Sequence, residues 1–277
     1  MMLRIGKEEV VMNQAKMKVG VSLHSYLTDI RNHALTIEDA IRHVKACGGE
    51  CVELVDAEHI LGYPRPSLSE LFRLRELIES LGLKLANYSQ YTEREYSADY
   101  KCTEDDMVDQ VRESILVAHV LGAPIVRPTP FPYIDPAVNR VLERSIPIAE
   151  KYGVQLAVEI HSPMKPDRFL ALMERFDTPS LGLVPDFSAW YRKGGVPIET
   201  FKECLRYARH VHGKATAAIP LDGDDPNIPY RALCSALKES SYAGTIVVEF
   251  EPPGFGASDV DSKKGVESVL SYIRQFR

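Results

Sequence analysis

The chain has 277 residues, 45% of them hydrophobic and 26% charged, with a net charge of −6. That composition supplies apolar material for one large core and fits a single domain. The acidic balance excludes a broad electrostatic footprint for nucleic acid. The five cysteines, Cys47, Cys51, Cys102, Cys204 and Cys234, form no CxxC pair, which fits a reducing compartment. There is no apolar run of membrane-spanning length and no signal-peptide core, so the expected location is the cytoplasm, without membrane contact.

Strand and helix signals alternate along the chain. After a polar leader, residues 1–16, KVGVSLHSY predicts a strand ending near His24. Thr36-Ile-Glu-Asp reads as a helix start, with Gly48–Gly49 as its stop. ECVELVD predicts the second strand. Ser67 to Gly82 follows as a helix, with Leu68, Leu71, Leu74, Leu77, Ile78 and Leu81 at helical spacing. LKLANYS predicts strand three, and Thr103 to Gly122 a long helix with acidic residues in its first turn. APIVRPTP holds strand four, and Pro136 to Gly153 the fourth helix. Strands five to eight are VQLAVEIH, SLGLVPDF, ARHVHGKA and GTIVVEFEP. Their helices are expected to begin near Pro166, Pro197, Asn227 and Asp259, the last running to Arg277.

Eight βα units with strands that do not alternate cleanly predict a (β/α)₈ TIM barrel over residues 17–277. A doubly wound open sheet would usually carry a glycine-rich turn after its first strand, and SLHSYLTD has no GxGxxG. The longer excursions, Ser89 to Thr103, Thr129 to Asp135, Ser188 to Val196 and Thr216 to Ile228, fall on the face where barrels build their sites.

On that face the last four strands end in Glu159, Asp186, His212 and Glu249. Two Glu, one Asp and one His make an oxygen and nitrogen set suited to one divalent ion, Mn²⁺ first, with Mg²⁺, Co²⁺ or Zn²⁺ as alternatives. Strand alternation would turn His161 to the same side as Glu159, where an imidazole suits acid/base work or simply bonds a strand end. Arg127, Lys214, Glu53 and His24 are candidate substrate contacts. Each has a plainer reading as an ion pair or a structural hydrogen bond. Tyr26 can line the pocket with His24. Trp190, with Phe187 and Tyr191, can stack on a sugar ring or aglycone, or pack in the core. His210 is expected a layer deeper, and Glu251 is the rival of Glu249.

GVSLHSY, GGECVELVD, LAVEIH, LGLVPDF, HVHGK and GTIVVEFEP, in that order, resemble the xylose isomerase-like TIM-barrel superfamily of sugar isomerases and epimerases. In its ketose 3-epimerases, the four strand-end residues bind one divalent metal, and the two glutamates exchange protons with substrate. The resemblance therefore implies metal ligation by Glu159, Asp186, His212 and Glu249, with proton transfer by Glu159 and Glu249. Those enzymes often carry a His soon after the unit-six Asp, whereas this chain has Phe187-Ser188-Ala189-Trp190 there. Glu159-x-His161 and LGLVPDF also resemble the α subunits of 3-oxo-C-glycoside deglycosidases, and inosose dehydratases are a further eliminating branch.

The expected activity is isomerisation or epimerisation of a sugar by proton abstraction next to a carbonyl, with elimination from a 3-keto sugar as the alternative. Catalytic roles fall to Glu159, Glu249 and His161. The expected assembly is a homo-oligomer, or a hetero-oligomer with a small subunit if the reaction is deglycosidation. The trinuclear site of the superfamily's endonuclease branch needs more histidines than this chain offers.

Overall fold

Period-two alternation decides which side of a sheet each strand residue faces. The computed structural model describes residues 16–277 except 94, 98, 130–135 and 257–259. Its barrel strands are β1 (Lys18–Ser22), β2 (Cys51–Val55), β3 (Lys84–Tyr91), β4 (Ile125–Thr129), β5 (Gln155–Ile160), β6 (Leu181–Pro185), β7 (His210–Ala215) and β8 (Thr245–Phe250). They form one parallel sheet in the order β6-β5-β4-β3-β2-β1-β8-β7. The bridges Leu183↔Ala208 and Asp186↔His212 bring its two ends together. This is the expected (β/α)₈ barrel.

The helices α1 (Ile37–Ala46), α2 (Leu68–Ser80), α3 (Glu104–Leu121), α4 (Pro136–Tyr152), α5 (Pro166–Phe176), α6 (Ile198–Leu205), α7 (Tyr230–Glu239) and α8 (Ser262–Arg274) follow the strands in turn. Local chemistry sets several of their ends. Thr36 with Asp39 and Thr103 with Asp106 form capping boxes that satisfy the first N–H groups of α1 and α3. Gly122, at φ 80°, ends α3 in a left-handed conformation that favours glycine.

Outward-facing Val19, Val21, Val52, Leu54, Val158, Ile160, Val211 and Val248 join the large core beneath the helices. The opposite faces of the same strands fill the barrel. Two small apolar clusters, Cys51–Ala86–Val247 and Ile125–Ala157–Val184, lie there one step before Glu53, Arg127, Glu159 and Glu249 on their strands. The polar layer therefore rests on a floor of small side chains at the C-terminal end of the strands, where α/β barrels hold their sites.

Several expectations shift. β1 ends at Ser22, and Leu23–Tyr26 forms a short 3₁₀ turn, so His24 leaves the strand before reaching the mouth. Leu68 lies off the buried stripe of α2, 60% exposed. The seventh helix begins at Tyr230 rather than Asn227, because Asp225 accepts the Asn227 and Ile228 N–H groups in a separate turn and Pro229 precedes the helix. Ser188 to Val196 contains two 3₁₀ turns. The leader other than Lys16, the excursion after Thr129 and the Asp259 helix start lie outside the described residues.

Gly20 lets β1 approach β2 closely, since a Cβ built there would overlap the Cys51 carbonyl. Gly20→Ala is expected to destabilise the barrel by about 1–3 kcal/mol, as over-packed cores do. Urea unfolding checks this, and an unchanged midpoint would contradict the close approach.

Candidate metal centre and substrate pocket

Glu53, at the middle of β2, is the foundation of the polar layer. Its carboxylate accepts from Ser22 Oγ at 2.8 Å and from Asn87 Nδ2 at 2.7 Å. His212 Nε2 lies 2.8 Å from Oε2 of the same carboxylate and His210 Nε2 lies 3.2 Å from it. Burial alone would raise the Glu53 carboxyl, but His212 and His210 outweigh it and hold it well below the usual carboxylate range. With Nε2–H donated to Glu53, the other ring nitrogen of His212 faces the remaining acids.

His212 Nδ1 lies 2.8 Å from Glu159 Oε1, 3.0 Å from Glu249 Oε2 and 3.8 Å from Asp186 Oδ2. One donor atom from each of these four side chains falls within 4.8 Å of the others, and all four residues are buried. Asp186 Oδ2, His212 Nδ1 and Glu249 Oε2 make no well-formed hydrogen bond. Buried polar atoms are normally satisfied, so three orphans converging on one point fit a divalent cation. The imidazole–carboxylate pair behind His212 is the support that metal-binding histidines usually have.

Two fixed cations flank the cluster. Arg127 Nη1 lies 2.5 Å from Glu159 Oε2, and Arg127 Nε donates to Ser89 Oγ at 2.8 Å. Against the upward push of burial, Arg127 and then His212 bring the Glu159 carboxyl down to about 2. On the other side, Lys214 Nζ lies 3.3 Å from Glu249 Oε1 and 3.0 Å from Glu251 Oε1. Burial raises the Glu249 carboxyl, and Lys214 followed by His212 more than offsets it, leaving it well below the usual range.

Above the cluster opens an inner pocket of about 220 Å³, lined by His24, Tyr91, Arg127, Glu159, His161, Lys214, Glu249 and Glu251 among others. It adjoins an outer cavity of about 970 Å³ bounded by Met164, Tyr191, Val196 and Phe255 together with Lys165, Arg192, Lys193 and Asn227. Ser162, Pro163, Met164 and Glu251 line both. His161 follows the end of β5 yet lines the inner pocket with Glu159, its Nε2 3.4 Å from Lys214 Nζ.

Trp190 is not brought into the pocket. It is 1% exposed, packs edge-on against Phe201 at 5.0 Å between ring centroids and donates Nε1–H to the Pro197 carbonyl. The 3₁₀ turn after Asp186 points the indole into the core, so of Phe187, Trp190 and Tyr191 it is Tyr191 that reaches the cavity. Tyr26 is also buried, bonded to His43. Glu53 lies beneath His212 and outside the pocket lining. His210 sits a layer deeper, with Nδ1 2.5 Å from Thr245 Oγ1. Glu251 stands outside the four-residue cluster, bonded to Lys214.

Sequence reasoning missed Glu58, which holds His24 Nδ1 at 2.7 Å. It also missed Tyr91, Ser22 and Asn87, whose residue types carry no signal without the register. Sequence alternation of Ser22 with Gly20, and of Asn87 with Ser89, was the only available cue.

An eight-stranded parallel barrel with an acid-and-imidazole cluster at the C-terminal strand ends defines the class. The chain belongs to the xylose isomerase-like TIM barrel family, whose model matches residues 41–276. It is 25% identical to the C-glycoside deglycosidase alpha subunit of Arthrobacter globiformis over 84% of this chain and 83% of that relative. It is 28% identical to the 3′-dehydrocarminate deglycosidase alpha subunit of Microbacterium sp. over 62% of this chain and 50% of that relative. Its fold is similar to that of D-allulose 3-epimerase from Methylomonas sp. in complex with D-allulose. That likeness has a TM-score of 0.73 and 15% identity, covering 95% of this chain and 98% of that one. These relatives are named as glycoside deglycosidase subunits and a sugar epimerase. Among the described residues, no helix is long and apolar enough to cross a membrane.

His24 is held between Glu58 and Glu251, at 2.7 and 3.0 Å. Burial lowers its pKa, but the hydrogen bonds to Glu251 and Glu58 dominate and raise it to about 10. A histidine raised in the fold contributes stability that is complete below its unfolded value of 6.5 and is lost as pH rises towards 10. In metal-free protein, the stability gap between wild type and His24→Gln should be widest near pH 6 and close by about pH 10. Denaturation at several pH values measures it; a gap that grows with pH would contradict the pairing.

Proposed function

We propose that this chain is a divalent-metal-dependent lyase. It abstracts a proton next to the carbonyl of a 3-keto glycoside and expels the anomeric aglycone. The observation that carries this reading is the two-part cavity: a small inner pocket at the acid cluster, sharing its wall with a much larger outer one lined by apolar side chains (Met164, Tyr191, Val196, Phe255) and by polar and charged ones (Lys165, Arg192, Lys193, Asn227). The inner pocket suits one sugar ring, and the outer cavity suits a bulky, flat substituent. Similarity to deglycosidase alpha subunits over most of both chains supports the same reading.

Glu159, Asp186, His212 and Glu249 would hold the ion, Mn²⁺ first by the hardness of three carboxylates beside one imidazole. When bound, it supplies Lewis-acid stabilisation of the oxyanion that develops on proton loss. His161, at the pocket wall, takes the proton from the carbon next to the keto group. The electron pair left behind becomes an enolate, which re-forms the carbonyl as the bond to the aglycone breaks. The aglycone leaves with that pair, takes up a proton and departs through the outer cavity. Arg127 keeps Glu159 anionic and directed at the centre, so Glu159 is a ligand rather than a base. Tyr191, Met164 and Phe255 shield the reacting face from water.

Isomerisation or epimerisation of a ketose, the reading the sequence favours, remains the second reading, supported by Glu159 and Glu249 converging on His212 from different strands. Against it, each glutamate is held by a fixed cation, Arg127 on Glu159 and Lys214 on Glu249, so both are weak proton acceptors for a two-base exchange. The relatives are named alpha subunits, which supports assembly with a second, smaller subunit over self-association alone.

Asp186→Ala and His212→Ala are each expected to abolish Mn²⁺ binding, and Glu53→Gln to weaken it about 10–100-fold, as loss of a supporting carboxylate does. Elemental analysis and calorimetric titration read this; full Mn²⁺ content in both alanine variants would refute the centre.

The Mn²⁺-loaded chain, incubated with 3-keto O- and C-glucosides, should release aglycone and an unsaturated keto sugar detectable by mass spectrometry. His161→Asn should keep its metal and lose about 100-fold or more in turnover. Ketose interconversion without aglycone release would overturn the lyase assignment and establish the isomerase. Loss of metal in His161→Asn would make His161 a ligand instead.

A further inference from the structure

Beside the four-residue cluster lies a second convergence of metal-type donors. His24, Glu249 and Glu251 each offer one atom, all within 4.8 Å of one another. Two carboxylates and an imidazole suit a divalent ion once His24, held protonated between Glu58 and Glu251, gives up a proton, and Glu249 belongs to both groups. Its two oxygens are divided: Oε2 lies 3.0 Å from His212 Nδ1, while Oε1 lies 3.3 Å from Lys214 Nζ. A carboxylate split in this way is the arrangement that bridges paired metals.

An ammonium lies against both of these carboxylates. Lys214, 3% exposed, projects from β7 two residues beyond His212. Its Nζ lies 3.0 Å from Glu251 Oε1, 3.7 Å from Asp186 Oδ2 and 3.4 Å from His161 Nε2. A buried charge persists only where it is paired, and here three carboxylates surround one cation. Removing that cation would leave these carboxylates short of positive charge, because the His24 imidazolium beside Glu251 is already shared with Glu58, and so with reason to recruit another cation.

We propose that Lys214 is a built-in second cation. It stands where a second metal would bind, keeps the centre mononuclear and presents its ammonium to a substrate oxygen in the inner pocket. The chemical consequence is selective. A lysine donates hydrogen bonds from a fixed stem and does not chelate, so the substrate is polarised at one metal-bound oxygen and steadied at its neighbour. This inference rests on the metal centre of the proposed function, and its test separates the two.

The probe is Mn²⁺ alone, followed by elemental analysis and electron paramagnetic resonance. Wild-type protein in excess Mn²⁺ should hold one ion per chain with the signal of an isolated centre. Lys214→Met should hold two, with an exchange-coupled signal, and adding Glu251→Gln should return it to one. Lys214→Arg, which keeps the cation, should hold one. Two ions in wild type would overturn the proposal without any substitution being needed. One ion in a Lys214→Met variant of native circular dichroism would overturn it equally. No ion in wild type would instead refute the metal centre and leave nothing for Lys214 to exclude.

Discussion

A carboxylate buried at the heart of the barrel organises everything above it. Glu53 is 1% exposed, and an anion so far from water persists only with cationic or hydrogen-bonding partners on every side. Ser22 from β1, Asn87 from β3 and the imidazoles of β7 supply them. The pairing reaches across the barrel from β2 to β7, so it forms only when the sheet closes. It also fixes which nitrogen of His212 is turned to Glu53, and therefore which one is left for Glu159, Asp186 and Glu249. Closure of the fold and orientation of the site are thus one event.

The two fixed cations make the site asymmetric. Arg127 braces Glu159 from one side, and Lys214 stands between Glu249 and Glu251 on the other. Two glutamates that look alike in sequence are in this way given different electrostatic surroundings. Both carboxylates are nonetheless held by fixed cations, and the proposed chemistry follows from that, with Glu159 committed to ligation and His161 left at the pocket wall. The cavity widens outward from the acid cluster, and the loops after β5, β6 and β8 line the way out with apolar side chains and with the basic Lys165, Arg192 and Lys193.

The barrel was legible because each unit carries a strand run, a helix stripe and glycine or capping signals in one order, and the capping boxes at Thr36 and Thr103 lie where the sequence places them. Glu159, Asp186 and Glu249 lie at strand ends as the sequence places them, whereas His212, third of six residues in β7, meets them from within its strand. What stayed hidden depends on direction rather than residue type. Trp190 lies four residues past Asp186, and only the 3₁₀ turn between them decides that the indole enters the core. Glu58 pairs with His24 because a short helix after β2 faces the turn after β1, a contact between units that no local pattern encodes. Glu53 was readable as a carboxylate of the second strand, but its place beneath His212 needed the register of three strands.

The most direct test of the account is anomalous diffraction from crystals soaked with Mn²⁺. The predicted result is one peak bounded by Glu159, Asp186, Glu249 and the Nδ1 atom of His212, with His212 Nε2 still on Glu53. An ion bound through Nε2, or a peak elsewhere with this cluster empty, would contradict it.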